Sequence, residues 1–372
     1  MNEKLNFSNE HEILLLDSSI QIEELKLLKK IPKIITFDFE SHKLLLKNNI
    51  SHEISDEYLT KQDLCDIQNK SYDFIKWYND PTISNFIEYE QINLGELVIG
   101  EFHLYLVPFL KKFAELLIIY KKYPNAEFFT TFNLHPFIFT LTNSVKIINT
   151  NKKFERDTSP QMKYGLKLGT KHLTISLSQK YYKKIKFFSE IFINMFFPNK
   201  ITNNNKNILL IEFGASRNRH FFYNLPNSNI NVILHNRRLP SIWNFDTYSI
   251  LKKSKCIVTT FHGLLDNKVK HSIDFGKKSS SSQIDELWKH DLFFKTFFSF
   301  NKISFWSILK PFFKNMLEKR IPDYVTEIEL TKKLFNQYNF SSILVMSENG
   351  PIEQIAISLA KKFKIKVALI QH

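Results

Sequence analysis

Short apolar runs alternate with longer amphipathic stretches along the chain. Residues 13–16, Ile-Leu-Leu-Leu, run into Asp17-Ser18-Ser19, and Lys33 to Phe37 repeats the pattern, so both read as buried strands that deliver a helix cap. A helix is expected from Ser41, a third short strand over Ser51 to Ile54, and long helices over Lys61 to Tyr78 and Leu94 to Tyr120. Phe128 to Thr131 and Val145 to Ile148 complete an α/β set whose strand order is not readable. Residues 150–172 lose apolar periodicity around Gly165 and Gly169. A basic aromatic helix is expected from about Ser176 to Phe197, ended by Pro198 and the polar run Thr202 to Asn207.

The second half carries a clearer signal. Ile208–Phe213, Asn231–Leu234, Cys256–Thr260, Ile343–Met346 and Val367–Ile370 are each short enough for strands, and helical patterns separate them, the signature of a parallel doubly wound sheet. A mostly helical excursion over about 264–340 interrupts them, with Ser279–Ser282 expected as its loop. Pro351 suits a first helical turn, and Ile352, Ile355, Ala356, Leu359, Ala360 and Phe363 form the stripe that packs it on the sheet. The expected fold class is α/β, with two Rossmann-like parallel-sheet units and helical insertions. Residues 1–200 would form an N-terminal α/β domain with a helical part, and 201–372 a Rossmann-like domain.

Composition narrows the class. A chain of 372 residues exceeds one ordinary domain, and 43% hydrophobic with 24% charged residues excludes a wholly disordered or fibrous polypeptide. The longest uncharged stretch, Phe128 to Val145, carries four Thr, two Asn, His135 and Pro136, so no membrane span is expected. Met1-Asn2-Glu3-Lys4 lacks the pattern of an export signal, and Cys65 and Cys256 lie far apart, so a reducing cytoplasm fits and neither disulfides nor zinc are expected. The net charge of +14 comes mainly from lysine spread along the chain, which argues against a nucleic-acid reader but suits peripheral contact with the anionic inner face of a membrane.

Candidate chemistry gathers at strand ends, because ligands of open parallel sheets bind outside the carboxyl ends of the strands, where helix N-termini present free N–H groups. Gly214-Ala215-Ser216-Arg217-Asn218-Arg219 follows the first strand of the second half, His235-Asn236-Arg237-Arg238 the second, Phe261-His262-Gly263 the third, Ser347-Glu348-Asn349-Gly350 the fourth and Gln371-His372 the fifth. Three of only eight glycines, Gly214, Gly263 and Gly350, sit there, read either as tight βα turns or as close approach to a ligand. Four of the six arginines, Arg217, Arg219, Arg237 and Arg238, fall in the first two segments, read either as a phosphate or carboxylate site or as surface charge paired with acids. Ser347, Asn349 and Gly350 would cap a helix or cradle a sugar hydroxyl or phosphate. His262, His372 and Glu348 are the candidate proton acceptors. Asp38-Phe39-Glu40 is read as a strand end with a helix cap, and no metal or cofactor is expected.

Residues 343–372, Ile-Leu-Val-Met-Ser-Glu-Asn-Gly-Pro, an amphipathic helix, then Lys-Ile-Lys-Val-Ala-Leu-Ile-Gln-His, resemble surface-polysaccharide glycosyltransferases of the GT-B type that includes capsule and CDP-glycerol transferases. A looser likeness runs through 208–260. The resemblance implies that His372 matches the motif histidine of a Gln-His-Gly turn, near an acceptor hydroxyl. It implies transfer of a sugar or polyol phosphate from a nucleotide-activated donor to a glycan or lipid-linked acceptor. It further implies a following glycine and a carboxyl-terminal donor domain beyond His372, hence an incomplete chain that is inactive alone. Two other classes remain open: a SAM-dependent methyltransferase, from Ile211-Glu212-Phe213-Gly214-Ala215-Ser216, where Ser216 replaces an expected second glycine, and a non-catalytic scaffold of a polysaccharide assembly complex.

Overall fold

The computed structural model describes residues 12–21, 33–148, 206–227, 230–238, 240–242 and 244–370, together with Glu23, Leu25, residues 184–188 and 190–191, and the strands at 162–168 and 171–177. The chain divides into two compact units, each built from separated segments. Residues 1–83, 101–156 and 288–317 form the first, and residues 84–100, 157–287 and 318–372 form the second. Part of the stretch expected as an insertion of the second domain thus belongs to the first unit.

The first unit is organised by five parallel strands, β1 (Glu12–Leu16), β2 (Lys33–Thr36), β3 (Glu53–Ile54), β4 (Glu127–Thr130) and β5 (Val145–Ile147), in the order β3-β2-β1-β4-β5. The apolar runs are continuous because both sheet faces are covered. Leu14, Leu16, Ile34 and Phe129 pack with Leu45 of helix α1 (Phe39–Lys47) on one face. Ile13, Leu15, Ile35 and Phe128 meet Leu116 and Ile119 of α2 (Ile99–Lys122) on the other. Asp38 caps α1, accepting from the Ser41 amide at 2.8 Å and from the Ser18 amide at 2.7 Å, so its acidic triplet is a helix start. An aromatic cluster of Trp77, Phe102, Phe294, Phe298, Trp306 and Phe313 fills the rest of this unit, with the Phe294 and Trp306 rings stacked 4.6 Å apart.

The second unit repeats the topology. Strands β6 (Lys206–Ile211), β7 (Ile230–His235), β8 (Ile257–Thr259), β9 (Phe340–Val345) and β10 (Lys366–Leu369) are all parallel, in the order β8-β7-β6-β9-β10. Its helices include α3 (Phe245–Lys253), α4 (Phe261–Leu264), α5 (Asn267–Leu287), the later part of α6 (Trp306–Gln337) and α7 (Pro351–Lys362). Two expectations are corrected. The Ser279–Ser282 run is not a loop but lies inside α5, whose buried stripe Val269, Ile273, Gly276, Ser280, Ile284 and Leu287 keeps helical spacing through the serines. Gly276 lets α5 approach closely, since a Cβ there would overlap the Tyr89 hydroxyl and lie 2.8 Å from Val325 Cγ1. The helix expected from Ser176 starts later, because Met162–Leu168 and Lys171–Leu177 pair as an antiparallel hairpin. Its signal is the alternation of Leu173, Ile175 and Leu177 with His172, Thr174 and Ser176, a period of two. Among the described residues no helix is long and apolar enough to cross a membrane.

The first unit also holds a buried carboxyl with a measurable consequence. Glu115 of α2 is 2% exposed and paired with Lys111 at 2.6 Å, while Lys111 also reaches Asp56. Burial, joined by the Asp56 carboxylate, pushes the Glu115 carboxyl up to about 7. A folded-state value above the unfolded one means that stability is fully present below the ordinary carboxylate range and is lost as pH rises through about 7. Glu115→Gln should therefore flatten the fall in thermal stability between pH 5 and 8, by at most ~3 kcal/mol at the alkaline end; a variant whose unfolding midpoint keeps the parent's slope would contradict this.

Candidate functional site

The candidate residues gather at the carboxyl edge of the second sheet, where the strand order reverses direction between β6 and β9, the position at which open parallel sheets ordinarily bind ligands. Glu212 ends β6 in the left-handed region, at φ 59°, with its amide held by the His235 carbonyl at 3.2 Å. Its nearly buried carboxylate accepts from the amides of Arg237 at 2.5 Å and Arg238 at 2.9 Å, which ties the β6 loop to the β7 loop. Asn236 adds a bond to the Phe213 carbonyl at 2.8 Å.

The four arginines then take different roles. Arg237, 9% exposed, directs Nε and Nη2 onto Glu327 of α6 at 2.8 and 2.7 Å, approaches Glu190 at 3.5 Å and lies over the Phe261 ring. Its fork is filled by the protein's own carboxylates. Burial alone would raise the Glu327 carboxyl, but the Arg237 charge outweighs it and leaves it lowered. Arg219 bridges to Asp246 of α3 at 2.8 Å on the surface, and the Ser216 hydroxyl donates to the same carboxylate at 3.2 Å. Arg238 is half exposed, paired with Glu353 and 3.4 Å from Glu212. Arg217 is exposed, its stem laid over Gly214, and makes no hydrogen bond or ion pair among the described residues.

Ser347, Glu348, Asn349 and Gly350 follow β9. The Asn349 amide donates to the Ser347 hydroxyl at 3.1 Å, and Glu348 is exposed without a partner among the described residues. Gly350 is the N-cap of α7, and a Cβ there would overlap Glu353 Oε2. After β8, the Thr260 hydroxyl caps α4 by accepting the Gly263 amide at 3.1 Å, and His262 is half-buried with Phe187 edge-on at 4.5 Å. His372 lies outside the described residues. The other candidates therefore share one sheet edge, on four separate loops.

Three residues at this edge carry chemistry that the candidate list lacks. Glu353, in the first turn of α7, is fully buried; one oxygen meets Arg238 and the other has no hydrogen-bond partner among the described residues. Burial raises its carboxyl above the usual range. His235 at the end of β7 is 1% exposed, with Nδ1 2.9 Å from the Thr259 hydroxyl. That hydroxyl gives its proton to the Leu234 carbonyl at 3.1 Å, so Nδ1 is the imidazole donor and Nε2 is a bare acceptor. Burial, with the nearby Arg237 charge, pushes His235 down to about 3, so it stays neutral. Nε2 of His235 and Oδ1 of Asn236 are both buried without a hydrogen-bond partner among the described residues. The signal for Glu353 was its place at the third position of a helix preceded by glycine and proline, obscured because a glutamate there ordinarily faces water.

No protein-family model, curated protein or solved structure matches this chain. The sheet edge offers a surface arginine without an ion pair among the described residues, a second arginine held by two carboxylates, and a buried carboxyl beside a helix N-terminus. Among the described residues no cluster of His, Cys, Asp and Glu has metal-holding geometry.

The two kinds of arginine separate experimentally. Arg237→Ala strands Glu327 and Glu190 in the interior and should cost ~3–5 kcal/mol of folding stability, whereas Arg219→Ala removes an exposed pair and should cost under about 1 kcal/mol. Denaturant unfolding of both variants reads this directly, and equal losses would mean that Arg237 is not the buried tie described.

Proposed function

We propose that this protein is a transferase of surface-polysaccharide synthesis, acting at the carboxyl edge of its second sheet on a nucleotide-activated sugar or polyol donor and a glycan or lipid-linked acceptor. The observation that carries the reading is the reversal of strand order between β6 and β9, with the unengaged Arg217 on one flanking loop and the Ser347–Gly350 turn on the other. Crevices of this topology take phosphorylated ligands. The resemblance of residues 343–372 to GT-B transferases points to the same chemistry.

In this reading Arg217 binds the donor phosphate, and Arg238 is drawn to it from its carboxylate partners. Glu353 accepts the proton of the acceptor hydroxyl as the new oxygen bond forms, and the nucleotide phosphate leaves with the electron pair of the broken bond. Burial raises its affinity for protons, which suits it to act as a base near neutral pH.

Calorimetric titration of the protein with CDP, CDP-glycerol, a UDP-sugar and S-adenosylmethionine tests the reading. A nucleotide diphosphate should bind, and Arg217→Ala should weaken it by ~1.5–3 kcal/mol, roughly ten- to a hundredfold, while Glu353→Gln leaves binding intact but lowers transfer by about 10²-fold or more. Binding of S-adenosylmethionine alone would replace the transferase by a methyltransferase, and no binding of any of these with normal polymer production by Arg217→Ala would favour the scaffold.

A further inference from the structure

Outside the crevice, one surface combines exposed apolar side chains with positive charge. Residues 184–188 and 190–191 are helical, and at about 100° per residue Lys184, Ile185, Phe187 and Phe188 share one side while Lys186 and Glu190 share the other. The inner side is fixed to the sheet edge. Lys186 donates to the Arg237 carbonyl, and Glu190 accepts the Phe261 amide at 3.2 Å while meeting Arg237 at 3.5 Å. The outer side is left to solvent, with Ile185 53%, Phe187 45% and Phe188 68% exposed. Single exposed apolar residues are ordinary, but three on one turn are not.

Charge decides what covers this face. Residues 158–189 contain seven lysines and no acidic residue, so this segment alone supplies half of the net charge of +14. The first acid after it, Glu190, points inward. Lys184 beside the exposed phenylalanines and isoleucine, in a segment rich in lysine and free of acids, is the pattern of a surface lying in the interface of an anionic bilayer, the rings entering the acyl boundary and the ammonium groups staying at the headgroups. A protein groove offering only apolar contact would leave the lysine excess uncompensated. The same helical turn grips the loop after β7, so a surface bound here lies next to the crevice.

We infer that Lys184, Ile185, Phe187 and Phe188 form a docking surface for an anionic lipid bilayer, holding the second unit peripherally at the membrane. The inference does not depend on the transferase reading, since docking needs no nucleotide.

Co-sedimentation of the full chain with phosphatidylcholine vesicles, with and without phosphatidylglycerol, tests it. The protein should sediment with the anionic vesicles at ~0.1 M salt, bind the neutral ones at least about tenfold more weakly, and release from the anionic ones as salt approaches ~1 M. I185S/F187S/F188S should lose at least about tenfold of the anionic-vesicle affinity with its circular dichroism and unfolding midpoint unchanged. K184E should fall in between, and R217A should bind vesicles as the parent does whatever it does to nucleotide binding. Absence of parent binding to anionic vesicles, or a triple variant that binds as tightly as the parent, overturns the inference. A concentration-dependent dimer that the triple variant abolishes would assign the face to a second copy of the chain and overturn it equally.

Discussion

A buried guanidinium holds the carboxyl edge of the second sheet. Arg237 is desolvated and can stay so only because Glu327 fills two of its donors and Glu190 approaches a third. Removing any partner would leave a charge in the interior, so the ion group acts as one unit that fixes the β7 loop, a late turn of α6 and the 184–191 helical segment against each other. Glu212 extends the restraint to β6 by taking the amides of Arg237 and Arg238 from a left-handed backbone position.

This arrangement explains why a lysine-rich chain uses arginine here. Lysine is a compact point charge and cannot satisfy both oxygens of Glu327 while lying flat on Phe261, whereas the planar fork does both. The same economy sorts the other three. Arg219 closes a surface loop onto α3, Arg238 bridges two carboxylates, and Arg217 is exposed with no ion pair among the described residues. Arginine enrichment at this strand edge therefore includes a buried structural tie, and burial separates Arg237 from the other three.

Gly350 and Glu353 form a second dependent pair. The missing side chain at Gly350 is the space that the Glu353 carboxyl occupies, and Pro351 between them gives up no amide that the helix start needs. A carboxyl in that place is sheltered from water, which is what lifts its proton affinity. The N-terminus of α7, where an anion is ordinarily favoured, is thereby partly taken by the protein's own acid.

The periodicity of apolar residues determined by itself the α/β class, the ten strands of the two parallel sheets to within a few residues, and the collection of polar turns after the strands of the second half, because short buried runs separated by amphipathic helices admit few other folds. It also carried the Pro351 helix and the cap at Asp38, which depend on residues within one turn of each other. Tertiary structure decided the rest. The order β3-β2-β1-β4-β5 and the assignment of 288–317 to the first unit rest on contacts between residues far apart in sequence. The serine run became helix because burial of Ser280 and Gly276 against neighbours outweighs local turn preference. Glu353, His235 and Glu212 acquired chemical interest only through what surrounds them, for a side chain's burial and partners are properties of packing that no single position encodes.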